Sequence, residues 1–523
     1  MLRLLVVILL LVTSIHGLKI LIDQIAPSPS HLLFSGVLAD SLAQRGHVVD
    51  KIIRVFHPLI PGNGTKLARR VHRIIPSPQR PIPFEKIGYM RDTFDKLKLE
   101  PWDENMLKSN LILCEDMINN EELIEQLKAE KYDVGLSPSY TACGVGLFHL
   151  LGIKSTHSYL PFSNWDGIYE VLGIPNKMVP GICLDDAKTT NPTFLQRAYS
   201  LYLRWTLRSQ TEAAFKAENE IFQRKFTSFP LLIDLYHKHT YFFQNTDEVL
   251  TFQQPISSKI QNIGGITTPK PRELPEIYNR MLNSRPNGAV IVSFGSLIRT
   301  AQIPIHVQQA IVRSFARFPT LLFIWKHDDP DSAIDLVANT TNVQLVKWLP
   351  QNDLLNDRRV RVFISHVGVN SFLETSRAGV PVIAVPAIAD QHYNAAAAVE
   401  REMGILVEPR DMTETTLTNA LSEILENPKY SARAKEISRL LSDKPQQPAE
   451  VFVNLIEYAA KHPHLGRILD LPSRDVNTIV YYSLDVMIIC LLLVILLLTA
   501  VFFLLQFTFK FLLQFSNSKE KTN

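Results

Sequence analysis

The feature that most constrains the fold of this chain is the run Phe363–Gln391, FISHVGVNSFLETSRAGVPVIAVPAIADQ. It reads as the end of a buried strand, a glycine turn, a short helix, a second buried strand and a loop. Val360–Ser365 is apolar and β-branched, which suits a strand covered on both faces. Gly368 is expected to let the backbone turn sharply at its end. Asn370 and Ser371 then fall where a helix would start, as capping residues, with Glu374 one turn later. A strand that stops at a helix N-terminus collects free N–H groups and the positive end of the helix dipole, so it suits an anion. His366 and Ser371 would add donors to a phosphate, and Glu374 would accept from a ribose hydroxyl. The strand Pro381–Val385 carries Asp390 and Gln391 to the same sheet edge, where they can read sugar hydroxyls. A plain βαβ unit would explain Gly368, Asn370 and Ser371, but does not require His366, Glu374, Asp390 and Gln391 together.

The ends of the chain set its compartment. Met1-Leu2-Arg3 followed by the apolar Leu4–Val12 and the small or polar residues around Ser14 and Gly17 reads as a secretory leader. Val486–Phe509 carries no charge and meets the roughly 20 apolar residues a bilayer span needs. Asp485 precedes this segment, and Lys510, Lys519 and Lys521 follow it, which directs the tail to the cytosol. The expectation is a single-pass type I protein with a lumenal body. The terminal Lys519-Glu520-Lys521-Thr522-Asn523 has the lysine spacing of a retrieval signal to the endoplasmic reticulum. Asn63-Gly64-Thr65 and Asn339-Thr340-Thr341 are glycosylation sequons in that body. Cys114, Cys143 and Cys183 allow at most one bridge, and buried free thiols are the preferred reading; their spacing suits no metal site. A net charge of +3 over 523 residues gives no reason to expect nucleic acid as a partner.

Strands alternate with helical stretches on both sides of a proline-rich linker at Pro269, Pro271 and Pro275. On the N-terminal side these are Leu18–Asp23, a helix His31–Arg45, Val48–Val55, and Tyr132–Leu136 followed by Cys143–Leu151. On the C-terminal side the strands are Ala289–Phe294, Leu321–Trp325, Val343–Val346, Val360–Ser365, Pro381–Val385 and Gly404–Val407. The expected class is therefore α/β with two Rossmann-like domains and one C-terminal transmembrane helix. The divisions are a leader 1–17, an N-terminal domain 18–270, a linker 271–286, a C-terminal domain 287–446, a helix and junction 447–485, the span 486–509 and a tail 510–523. Ligands of such sheets bind beyond the carboxyl ends of the strands. Ser293 and Ser296 lie at one such end and Trp348 and Gln351 at another, where an indole can stack on a base and an amide can bond its edge. Segment 185–245 looks helical, and Trp205, Phe215, Phe222 and Phe226 suit either plain core or an apolar pocket.

The spacing Ser365-His366, Gly368, Glu374, Pro381 and Pro386, Asp390-Gln391, together with Trp348-Leu349-Pro350-Gln351, resembles the signature of the UDP-glycosyltransferases. Val367 departs from it where many relatives carry a smaller residue. The resemblance spans Leu18 to the tail and implies the two-Rossmann, GT-B type architecture. It implies a donor UDP-sugar on the C-terminal domain and a small lipophilic acceptor on the N-terminal one. The sugar nucleotide would be a co-substrate, with no cofactor and no metal, and the sugar would be transferred with inversion. His31, in Ser30-His31-Leu32-Leu33-Phe34, matches the family's catalytic base. Asn454–Ala460 matches a helix that relatives fold back across both domains, and Tyr482-Ser483-Leu484-Asp485-Val486 the membrane junction of animal members.

Two departures bear on chemistry. Relatives orient the base with a carboxylate shortly after the strand matching Tyr132–Leu136; here Ser137–Ala142 contains no acid, and Asp133 lies within the strand. Members that use UDP-glucuronate often carry arginine in a Phe-Pro-Arg-Pro run that here reads Phe252-Gln253-Gln254-Pro255, which favours a neutral hexose such as glucose. The alternative to a transferase is a catalytically weak or inactive lumenal paralogue that binds UDP-sugar or an active partner. Whether the chain forms a homo- or hetero-oligomer is left open by the resemblance.

Overall fold

A computed structural model describes residues 17–25, 27–56, 60, 62–80, 82, 104–162, 166–174, 193–296 and 298–519. The leader up to His16, Cys183 and the last four residues lie outside the described residues.

Two parallel sheets carry the chain. The first has seven strands in the order β3-β2-β1-β4-β5-β6-β7. These are β1 (Lys19–Ile25), β2 (Val48–Arg54), β3 (Arg70–Ile74), β4 (Val134–Pro138), β5 (Ser155–Leu160), β6 (Phe242–Gln244) and β7 (Ile260–Asn262). The second has six, in the order β10-β9-β8-β11-β12-β13. They are β8 (Ala289–Ser293), β9 (Leu322–Lys326), β10 (Val343–Val346), β11 (Val360–Ser365), β12 (Val382–Ala384) and β13 (Gly404–Leu406). β1 is buried from Ile20 to Ile25 and β8 throughout, because helices cover both faces of each sheet.

The helices that position the site are, in chain order, α1 (Pro29–Gln44), α2 (Glu104–Asn119), α3 (Cys143–Leu150), α4 (Phe194–Lys225), α5 (Gln351–Leu355), α6 (Val369–Ala378), α7 (Gln391–Glu400), α8 (Pro448–Lys461) and α9 (Leu484–Lys519). α1 starts with proline at its first turn, where no N–H is needed. In α4, Phe215 and Phe222 belong to the first sheet's core, and Phe226 just beyond it packs against that core, whereas Trp205 is 69% exposed. Core, not a pocket, is thus the role of those phenylalanines. α8 leaves the second sheet and returns to the first: Phe452, Val453 and Ile456 join the core of β1 and α1. Arg45 reaches Asn454, and His47 Nε2 lies 3.2 Å from a Glu457 carboxylate oxygen. Leu484–Leu513 of α9 is long and apolar enough to cross a membrane.

The expectation of free thiols is corrected for two cysteines. Cys114 on α2 and Cys143 at the start of α3 form a disulfide with their Cα atoms 5.9 Å apart. Their distance in sequence hid a pairing that only the packing of α2 beside the β4–α3 loop creates.

Candidate active site

In the second sheet, Ser365 pairs with Ser293 on one side and Ala384 on the other, so β8, β11 and β12 end in one row. The loops leaving this edge carry the expected donor-site residues. Ser293 is buried, and its hydroxyl accepts from the Gly295 amide at 3.4 Å; Ser296 is exposed on the same turn. His366 follows β11, and its ring packs between two glycines. A Cβ on Gly295 would lie 2.5 Å from His366 Nε2, and one on Gly368 2.7 Å. Burial, assisted by the nearby Lys326 ammonium, lowers the His366 pKa to about 4.

The sharp turn falls one residue earlier than the sequence suggested. Val367, not Gly368, has the left-handed backbone, at φ 51°, while Gly368 has φ −54° and precedes the first residue of α6. Gly368 is required for the approach of His366 rather than for the turn. A β-branched residue in this region costs about 1–2 kcal/mol. It is held by its amide donating to Ser365 Oγ at 3.0 Å and its carbonyl accepting from Asn394 Nδ2 at 2.9 Å.

Three side chains meet above α5 and α6. Gln351 Nε2 donates to Ser371 Oγ at 3.1 Å and to Glu374 Oε2 at 2.7 Å. Burial raises the Glu374 carboxyl from 4.5 to about 7, against the opposing effect of the Gln351 bond. Trp348, just before α5, is 71% exposed, so a face of its indole is open. Lys326 Nζ stands 4.9 Å from that ring and donates to the Gly295 carbonyl at 2.9 Å. Lys326 was missed in the sequence; its position as the last residue of β9, at the ligand edge of the sheet, is the signal that would have found it.

The expected capping role of Asn370 is corrected. α6 has no side-chain cap, and Asn370 Oδ1 instead accepts from Asn245 Nδ2 at 2.9 Å and Thr267 Oγ1 at 3.0 Å, both from the N-terminal half. Ser371 likewise faces Gln351 and does not cap. Gln391 Oε1 accepts from the Ala387 and Ile388 amides at 2.8 and 3.1 Å, which fixes the loop after β12. Asp390 is buried, and its carboxylate accepts from Asn394 Nδ2 at 3.0 Å. The sequon residues Asn63 and Asn339 are both exposed and outside helices and strands.

In the first sheet, His31 follows β1, Tyr140 follows β4 and Phe162 follows β5, so all three leave the same edge. The His31 ring lies 5.9 Å from that of Tyr140 and 5.8 Å from that of Phe162. Phe162 packs against the cores of both halves, which sets His31 at the cleft between them. Burial lowers the His31 pKa to about 4, so at neutral pH its imidazole is uncharged. Its Nδ1 is 2.6 Å from Ser28 Oγ.

The loop after β4 does receive an acid, from a helix far away in sequence. Glu218 of α4 accepts from the Ala142 amide at 2.6 Å and from Thr141 and Asn110. That carboxylate serves the start of α3 and, among the described residues, has no bond to His31. Asp23 is also engaged: it pairs with Arg54 at 2.8 Å, both side chains fully buried. Gln254 Nε2 donates to the Tyr169 hydroxyl at 2.7 Å.

Comparison with known proteins agrees with this geometry. Residues 68–521 match the family model described as UDP-glucoronosyl and UDP-glucosyl transferase. A putative UDP-glucuronosyltransferase of Caenorhabditis elegans, ugt-48, is 28% identical over 91% of this chain and 92% of its own length. Human 2-hydroxyacylsphingosine 1-beta-galactosyltransferase is 29% identical over 94% of this chain and 88% of its own. In fold, the chain is similar to the UDP complex of a UDP-glucose: anthocyanidin 3-O-glucosyltransferase, with TM-score 0.57 and 16% identity over 86% of this chain and all of that one. With both sheets, their paired ligand edges and a family match over most of its length, this chain belongs to the UDP-glucuronosyl and UDP-glucosyl transferase family.

Proposed function

We propose that this UDP-glycosyltransferase moves glucose or glucuronate from UDP to a hydroxyl of small lipophilic acceptors, with inversion and without a metal ion. The reading is carried by the contact of Gln351, Ser371 and Glu374 beside the open face of Trp348. Uracil would stack on Trp348, and ribose hydroxyls would donate to Glu374 and replace its bond from Gln351. The diphosphate would lie against His366, Ser296 and Lys326 at the start of α6. There an ammonium and oriented donors stabilise the charge that grows on the leaving group. Ser293 would hold the turn beneath it, Asn370 would tie that helix start to the acceptor half, and Asp390 and Gln391 would meet the sugar.

At the cleft, the uncharged His31 would take the acceptor proton at Nε2 while the acceptor oxygen attacks C1 from the face opposite UDP. A lipophilic acceptor accords with the Tyr140 and Phe162 rings beside that imidazole. A neutral hexose is the favoured donor, because Gln254 stands where a glucuronate-binding arginine would. α9 would anchor the protein in the endoplasmic reticulum membrane with both sheets lumenal, and Asn63 and Asn339 would carry glycans. The non-catalytic alternative draws only on the absence, among the described residues, of a carboxylate partner for His31.

The test is conjugate detection by mass spectrometry. Membranes bearing the protein are given phenols and aliphatic alcohols with either UDP-glucose or UDP-glucuronate, beside a His31→Ala control. Conjugates should form and fall ~10²–10⁴-fold in the control. No product above the control, from protein that still binds UDP, would overturn the reading.

A further inference from the structure

Ser28 occupies the N-cap position of α1, where a serine hydroxyl ordinarily accepts from a helix amide. It makes no such bond. The residue is 1% exposed, and its Oγ lies 2.6 Å from His31 Nδ1 and 2.8 Å from Ser30 Oγ. A capping hydroxyl has thus been diverted to the imidazole. Among the described residues, the carboxylates nearest this edge are turned elsewhere. Asp23 at the end of β1 is paired with Arg54 of β2, and Glu218 of α4 holds the start of α3. The titratable group that does face His31, the Tyr140 phenol, donates to the Ile25 carbonyl at 3.1 Å, and burial pushes its pKa far up.

We infer that Ser28 is the positioning residue of His31, and that this neutral partner suits the site to acceptors with acidic hydroxyls, phenols and enols rather than aliphatic alcohols. The inference rests on the reading of His31 as the base. In the productive tautomer Nδ1–H donates to Ser28 Oγ, Ser28 donates to Ser30 Oγ, and the Nε2 lone pair is directed to the cleft. The acceptor's O–H bond breaks and its proton goes to Nε2. The acceptor oxygen bonds to C1, and the C1–O bond to the diphosphate breaks with its electron pair leaving on UDP. A carboxylate on Nδ1 would stabilise the imidazolium formed in that step, whereas a serine hydroxyl fixes the ring without neutralising it. The less charge the imidazole must take up in the transition state, the smaller this deficit, and an acidic hydroxyl asks least of the base.

The full-length protein in membranes would carry Ser28→Ala, Ser28→Thr and Ser28→Asp. Rates would be read against pH and against a series of para-substituted phenols and aliphatic alcohols. A second readout needs no turnover: the pH midpoint for carbethoxylation of His31 by diethyl pyrocarbonate, followed by peptide mass spectrometry. Ser28→Ala should lower kcat ~10-fold or more with the donor KM unchanged, and Ser28→Thr should restore most of it. Ser28→Asp should raise the His31 midpoint by about one pH unit or more and narrow the gap between phenols and alcohols. Unchanged kcat and midpoint in Ser28→Ala and Ser28→Asp, or alcohols turned over as well as phenols by the wild type, would overturn the inference. If the wild type forms no conjugate, the transferase reading fails. The Ser28→Asp midpoint then still decides whether Ser28 governs the imidazole.

Discussion

Replacing Glu374 with Gln separates the charge of this carboxylate from its shape. In the free protein burial holds its pKa near 7, above an ordinary 4.5. Ribose hydroxyls donating to the ionised form would draw the pKa back down, so UDP binding below pH 7 must release a proton. The sign follows: affinity rises with pH up to about 7 and then levels. If binding restores the ordinary value, the coupling is about 2.5 pK units. Kd would then fall by up to ~70-fold between pH 5 and pH 8. Loss of a charge-assisted bond, ~1.5–3 kcal/mol, predicts that Glu374→Gln weakens UDP ~10–100-fold at pH 8 and far less at pH 5. Isothermal titration calorimetry in two buffers of different ionisation enthalpy counts the protons directly. Subtracting the variant from the wild type removes the titration of the UDP phosphate. A wild-type Kd parallel to that of the variant from pH 5 to pH 8 would refute the assignment of Glu374 to the nucleotide.

Three further outcomes are expected. Arg54→Met should destabilise the protein by ~3–5 kcal/mol in chemical unfolding, because it strands the buried Asp23 charge, and Asp23→Asn in the same chain should recover part of the loss. Cys114→Ser, which opens a loop of sequence separation 29, should cost about 3–4 kcal/mol by the same measurement. Gln254→Arg should shift the ratio of kcat/KM for UDP-glucuronate over UDP-glucose upward; an unchanged ratio removes Gln254 from donor selection.

The second sheet was legible because a strand buried on both faces spells an apolar β-branched run: Val360–Ser365 falls where the sequence put it, and so does the half-exposed edge strand Val343–Val346. Gln351 was legible from the run Trp348-Leu349-Pro350-Gln351 at a strand end, and Glu374 from its place one turn into the helix after Val360–Ser365. Elsewhere the signal is tertiary. Glu218 sits on a long helix, where a carboxylate reads as surface, and only the fold brings it to Ala142. Asn370 looked like a cap because helix starts favour asparagine, but its partners Asn245 and Thr267 are more than 100 positions away. Ser28 is indistinguishable by type from any N-cap, and the loss of its cap bond to His31 is a matter of rotamer. Val367 was legible only as a departure from the resemblance; its left-handed backbone is one that glycine adopts freely.

The return of α8 to the first sheet makes the half built on the second sheet a closed loop of chain, fastened at both ends to the first. Beyond α8 the clasp continues: Lys259 Nζ lies 2.6 Å from Asp470, and the Ser473 hydroxyl donates to the Gly173 carbonyl at 2.5 Å. The hydrophobic helix α9 therefore departs from the side of the first sheet. The half built on the second sheet is joined to the half built on the first by two connections, the proline-rich stretch before β8 and the stretch that leads into α8. The same geometry dictates where a water-soluble form can be cut. A stop before Pro448 strips Phe452 and Ile456 from the core they complete, while a stop after Val476 removes the apolar helix α9 and leaves the clasp whole.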